Sequence, residues 1–173
     1  MGDSVIVTGT LTRKDKTPLS QVNGMLQYKV ANGPWQTLTS GVTDSSGTLT
    51  AQLPLSAKTI FRFTSDGSWS VAAGQSADLA LTPLRILTWM PPTSMKVATT
   101  YIVGGTVLPA VSGVKVHLLK DDTVMDSTAT SADGTFSFTL EESKVGIVHF
   151  RVTVDADSLF AATSSQRFGT LLR

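Results

Sequence analysis

An all-β chain built as two tandem antiparallel β-sandwich domains is what this 173-residue sequence predicts. Three observations carry that expectation: apolar and polar residues alternate with a period of two, turn clusters separate the alternating runs, and one half of the chain lays onto the other as an internal repeat. At this length two domains of roughly 85 residues are natural, close to the lower end of ordinary domain size.

The alternation is clearest in the second half. In Gly113-Val114-Lys115-Val116-His117-Leu118-Leu119-Lys120, Val114, Val116 and Leu118 fall on one face, with Lys115, His117 and Lys120 polar. Val148, Phe150, Val152 and Val154 do the same against His149, Arg151 and Thr153, and Thr135–Leu140 repeats the pattern. β-branched and aromatic residues in this rhythm suit a pleated strand with one wet face. Between the runs, Asn32-Gly33 predicts a type I′ hairpin turn linking Tyr28-Lys29-Val30 to Trp35-Gln36-Thr37-Leu38. Asp44-Ser45-Ser46-Gly47 and Ser131-Ala132-Asp133-Gly134 read as turns between sequential antiparallel strands. Parallel strands would need long helical crossovers, and no segment carries helical periodicity.

The repeat aligns Val42–Leu49 with Ala129–Phe136, and Val7-Thr8-Gly9-Thr10-Leu11 with Val103-Gly104-Gly105-Thr106-Val107. Phe61-Arg62-Phe63 matches Phe150-Arg151-Val152, and a serine opening a final strand follows each, Ser76 and Ser165. The expected domains are 1–83 and 84–173, differing mainly by a longer middle hairpin in the first. Phe61 and Phe150 are the expected core anchors. The Pro-bracketed run Thr82–Ser94 predicts an opening strand at about 85 to 90 that crosses between sheets, with another at about 97 to 107. Domain 1 starts instead at Val5-Ile6-Val7-Thr8-Gly9, the equivalent of the second strand, and so lacks a first strand. Either the chain is cut from a longer array or has a shortened edge, or the edge is open and completed by another chain.

At these residues the sequence resembles bacterial immunoglobulin-like modules found in tandem on exported, often actinobacterial, surface proteins. The Gly-Thr strand, the Thr-Asp-x-x-Gly turn, the Phe-Arg strand and the serine-led closing strand carry the resemblance over nearly the whole chain. It implies immunoglobulin-like sandwiches and says little about function. Domain 2 also looks like pilin-type or carboxypeptidase-regulatory sandwiches through Gly113-Val114-Lys115-Val116 and Asp133-Gly134-Thr135-Phe136. Residues 84–173 contain no asparagine, which argues against the Lys–Asn isopeptide bond of such pilins.

Composition removes several functions. Fourteen basic against thirteen acidic side chains give a net charge of +1, so no field draws the chain to nucleic acid or an anionic membrane. With no cysteine, disulfides, thiolate metal sites and cysteine nucleophiles are excluded together. Met1–Ile6 has neither the basic nor the apolar region of an export leader, and Ile6 stands where a myristoylation signal needs Ser or Thr. No apolar run approaches the roughly 20 residues of a membrane span, so membrane insertion is not expected. His117 and His149 fall on outward strand faces without a third metal ligand, and no Gly-x-Ser-x-Gly elbow is present. Asp121-Asp122 and Asp155-Ala156-Asp157 would suit calcium only if their loops converged. No enzyme activity, cofactor or metal is expected.

Candidate interaction residues are Trp35, Trp69 and Trp89, with Val5, Ile6 and Val7 on the open edge. Structurally, Trp35 would cap the hairpin, Trp69 fill the core above Phe61 and Phe63, and Trp89 seal the domain junction; glycan binding would need two of them exposed on one plane. The implied function is a non-catalytic structural or adhesive module of a surface-exposed bacterial protein. A virion accessory or decoration protein and a carbohydrate-binding module are the alternatives. Expected partners are a protein or further copies of the chain, with a glycan as the third possibility, on a cell or virion surface.

Overall fold

In the computed structural model residues 4–173 are described, and they form strands and turns with no helix among them. The chain divides into two compact units, Met1–Pro83 and Leu84–Arg173.

The first unit contains β1 (Ser4–Thr10), β2 (Asn23–Val30), β3 (Gln36–Val42), β4 (Thr48–Pro54), β5 (Thr59–Ser65), β6 (Gly74–Gln75) and β7 (Leu79–Leu81). β1 and β4 make a two-stranded antiparallel sheet, with Val7 opposite Ala51 and Gly9 opposite Leu49. The other sheet runs β3-β2-β5, and β6 and β7 both pair with β5. The inward faces of both sheets meet over Val7, Leu26, Phe61 and Phe63.

The second unit contains β8 (Ile86–Trp89), β9 (Ser94–Met95), β10 (Tyr101–Leu108), β11 (Lys115–Lys120), β12 (Thr123–Ala129), β13 (Thr135–Leu140), β14 (Gly146–Val154), β15 (Thr163–Ser164) and β16 (Phe168–Leu172). Its sheets are β13-β10-β8 and β12-β11-β14-β16-β9, with β15 also on β14. This is the strand order of an immunoglobulin-like sandwich whose first strand is shared between sheets. After Trp89 the chain passes Pro91-Pro92, changes sheet without reversing direction, and so lies parallel to β16, with Leu171 beside Ser94. That parallel pair departs from the purely antiparallel expectation.

Individual hydrogen bonds recur in the two units. Thr43 and Thr130 are buried at corresponding positions. The Thr43 hydroxyl donates to the Leu19 carbonyl at 2.6 Å and accepts from the Val22 N–H at 3.2 Å. Thr130 does the same with Val111 at 2.5 Å and Val114 at 3.1 Å. Each hydroxyl thus satisfies two loop groups that would otherwise be buried unpaired, at about 1–3 kcal/mol per group left bare. Gly47 and Gly134 have φ of +72° and +79°, and a Cβ at either would clash with the carbonyl of Leu11 or Val107. Both turns therefore require glycine. Ser76 and Ser165 take the β5 and β14 N–H groups of Phe63 and Val152 on their hydroxyls, at 2.9 and 3.0 Å. They sit in the gap between β6 and β7 and between β15 and β16, interrupting the last strand where a leading position was expected.

Two turns differ from the sequence reading. β2 and β3 are joined by a five-residue loop, 31–35, in which Ala31 takes positive φ (49°), not Asn32-Gly33. Pro34 disfavours the α region for the residue before it and so removes the type I′ geometry from Gly33. The two-residue hairpin is instead at Asp121-Asp122, with φ of 47° and 67°, closed by Lys120 opposite Thr123. Asp tolerates this region, but the pair is a weaker signal than Asn-Gly.

Candidate functional site: the uncovered edge of the first unit

The candidate tryptophans have three different fates. Trp35 is half-buried on the outer face of the β3-β2-β5 sheet, with the Arg62 guanidinium 3.9 Å and the Lys29 ammonium 4.7 Å from its ring centroid. Trp69 is 99% exposed, in a loop closed by the Ser68/Val71 bridge. It does not fill the core, because Phe63 already occupies the space over Gly9 and Gly24: a Cβ at either glycine would strike its ring. Trp89 is buried within the second unit, edge-on to Phe168 at 5.7 Å. Of the edge residues, Val7 is core and Val5 half-buried, and Ile6 faces outward.

The acidic pairs do not converge. Asp121 lies by the middle of β14, where it accepts the His149 N–H at 3.1 Å, and Asp122 pairs with Arg151 at 3.0 Å and Arg167 at 3.4 Å. Asp155 and Asp157 follow the far end of β14. Asp155 contacts His117 at 3.2 Å, and Asp157 meets the buried Arg85 at 2.5 Å. Burial alone would push the Asp157 carboxyl up, but Arg85 and the N–H groups of Leu159 and Phe160 outweigh it and hold the pKa below the usual value. The Arg85 guanidinium also stacks 4.2 Å over Phe160, tying the start of the second unit to the loop after β14. Among the described residues no group of three or more His, Asp or Glu side chains is placed to hold a metal ion.

The remaining feature is the edge of β1. Gly9 and Gly105 correspond, each opposite the first apolar residue after its turn, Leu49 and Phe136. Along the far side of β10 runs β8, with Trp89 beside Gly105 and Leu87 beside Val107. A Cβ at Gly105 would collide with the Thr88 carbonyl, so the glycine admits the strand. β9 then places Met95 in the core beside β16. In the first unit β1 pairs with β4 alone among the described strands. Leu79 pairs with Phe61 as Phe168 pairs with Phe150, yet Leu79 is 54% exposed where Phe168 is covered by Trp89. The Leu11 N–H bonds the Gly47 carbonyl on the β4 side, so by strand alternation the N–H and C=O groups of Ile6, Thr8 and Thr10 face the free side. The tight Gly9/Gly24 seat for Phe63 carried no signal readable in advance.

No protein-family model matches the sequence, and no curated protein matches it. Among solved structures the chain is similar to the D0-D1 domain of intimin, at 14% identity and a TM-score of 0.36 over 98% of this chain and 90% of that one. It is similar also to invasin, described as a bacterial integrin-binding protein, at 17% identity and a TM-score of 0.39, covering 98% of this chain and 35% of that one. Fibronectin(III)-like modules of Clostridium thermocellum CbhA give 12% identity and a TM-score of 0.37, with coverage of 99% and 86%. With all three TM-scores below 0.4, the fold assignment rests on the strand order of the chain itself.

Proposed function

We propose that the chain is a non-catalytic structural and adhesive module of a bacterial surface protein, composed of two independently folding domains, 1–83 and 84–173, with a protein as partner. One observation carries this reading. The side chains that offer chemistry, Thr43 and Thr130, Ser76 and Ser165, Arg85 with Asp157, are spent on holding loops to strands. Large apolar side chains are presented to solvent beside the polar ones: Ile6, Trp69 and Leu79 in one unit, Ile102, Val145 and Ile147 in the other. A virion accessory protein would use the same architecture.

Single-molecule extension of the chain held by its ends tests this. Two separate unfolding steps are expected, each releasing roughly 25–30 nm at about 3.4 Å per residue. One cooperative step, or extension without resistance, would overturn it. The glycan alternative has the exposed Trp69 indole in its favour, and Trp69→Ala abolishing capture on a glycan array would promote it.

A further inference from the structure

We propose that the outer face of the β3-β2-β5 sheet of the first unit, where Arg62 and Lys29 lie against the Trp35 ring, binds an acidic side chain, Asp or Glu, of a protein partner. This rests on the reading of the chain as a protein-binding module and names the chemistry by which one partner is held.

Arg62 on β5 and Arg151 on β14 occupy the same place in the two units. Each precedes the residue whose N–H is taken by a serine hydroxyl, Phe63 by Ser76 and Val152 by Ser165. Each also lies on the strand paired with the first arm of a hairpin, β2 before the loop 31–35 and β11 before Asp121-Asp122. In the second unit that hairpin supplies a carboxylate: Asp122 pairs with Arg151 at 3.0 Å and meets Arg167 at 3.4 Å. In the first unit it supplies an indole instead, with the Arg62 guanidinium 3.9 Å and Lys29 Nζ 4.7 Å from the Trp35 ring centroid. The indole holds the two cations in place without neutralising them. Gln27 Oε1 accepts the Arg62 Nε–H at 2.8 Å, which fixes the plane of the guanidinium and leaves its two Nη groups for another acceptor. Among the described residues every ion pair belongs to the second unit. In the first, Asp15 and Asp44 are bonded within their own turns, to Thr17 and Thr48. Asp66 pairs with no cation, and neither does Asp78, although it immediately precedes β7 on the other side of β5. Arg62 and Lys29 therefore stand half-buried at one ring without the carboxylate that the second unit places beside Arg151. A guanidinium of fixed plane takes a carboxylate through two parallel N–H bonds, which a lone ammonium cannot do. Tryptophan and arginine are also the residues on which protein interfaces concentrate their binding energy. Because Trp35 is half-buried and already faced by two cations, its ring is not an open platform for a sugar.

The test titrates the full isotope-labelled chain with the peptide acetyl-Gly-Asp-Gly-Asp-Gly-amide and with its asparagine counterpart, reading the Trp35 indole N–H and the Arg62 and Arg151 Nε–H signals by NMR. With millimolar acidic peptide, saturable shifts are expected at Trp35 and Arg62 and none at Arg151, whose carboxylate is already in place. The asparagine peptide should move neither. Raising the salt from about 0.1 M to about 1 M should weaken binding roughly tenfold, as charges open to solvent are screened. Arg62→Gln should weaken it by about tenfold or more, since the two parallel bonds are lost. Lys29→Gln should weaken it only about two- to threefold, the effect of one exposed charge. The comparison of the two peptides on the unaltered chain decides the matter even if a variant folds poorly. No response to millimolar acidic peptide, equal response to both peptides, or an equal response at Arg151 overturns the proposal. So does binding of a charge-matched sulfated disaccharide more than about tenfold tighter than that of the acidic peptide, because the occupant would then be an anionic glycan. None of these results alters the two-step extension expected of the module, so the two readings fail separately.

Discussion

The two units share turns, buried threonines and strand-breaking serines, yet their cores differ sharply. In the second, fourteen buried apolar side chains form one cluster; in the first, among the described residues, four do, with a ring of half-buried neighbours. The difference follows from the covering segment. β8 and β9 close one side of the second sandwich and are clamped at their start by Arg85 on Asp157. The first unit substitutes side-chain volume for a strand: Gly24 and Phe63 stand where the second unit has Val116 and Val152, and the enlarged ring covers part of what Trp89 covers. A ring can exclude water from a core, but it cannot supply hydrogen bonds to a strand edge. β10 therefore has a strand on either side, whereas β1 has β4 alone among the described strands.

The largest expected effect separates the units outright. Phe150 and Phe61 are buried to 0% and 1% exposure, and alanine at either should cost about 3–5 kcal/mol. Calorimetry of the full chain should show Phe150→Ala lowering only the transition of the second unit and Phe61→Ala only that of the first. Losses under about 1 kcal/mol, or both transitions moving together, would break the comparison.

A finer test exchanges the volume swap. Gly24→Val drives a side chain into the Phe63 ring and should destabilise the first unit by about 1–3 kcal/mol. Adding Phe63→Val restores the pairing used by the second unit and should recover part of that loss, leaving a gap over Gly9. If the double variant is worse than the sum of the singles, Phe63 is not the substitute described above.

The smallest effect is acid sensitivity of the turns. The Asp133 carboxyl is lowered from 3.8 to about 2 by the Ser131 hydroxyl and by the N–H and hydroxyl of Thr135. Asp44 is lowered likewise, chiefly by the Thr48 N–H and hydroxyl. A depressed folded pKa means that the contribution is complete above about pH 4 and is lost as the pH falls toward 2. Melting temperature should therefore decline across that window, and Asp133→Asn should flatten the decline in the second unit alone. An unchanged slope would mean that the turn bonds add nothing beyond the glycine geometry.

Strand faces and the two turn glycines were legible in the sequence because they depend on local rules. Period-two alternation placed Phe61, Phe150, Val116 and Leu118 in their cores, and Gly47 and Gly134 marked turns that no other residue fits. What only the tertiary structure decided depended on which groups meet across distance. Asn32-Gly33 lost its hairpin geometry to the following proline, a local effect that the dipeptide signal overrode, but Trp69 lost its core place to Phe63, seated between glycines on two different sheets. Trp89 became core because Gly105 admits its strand, and the Asp121 and Asp155 loops stayed apart because β14 holds them at different heights. Alternation says which way a side chain points; whether space and a partner await it there is set by the residues that folding brings opposite.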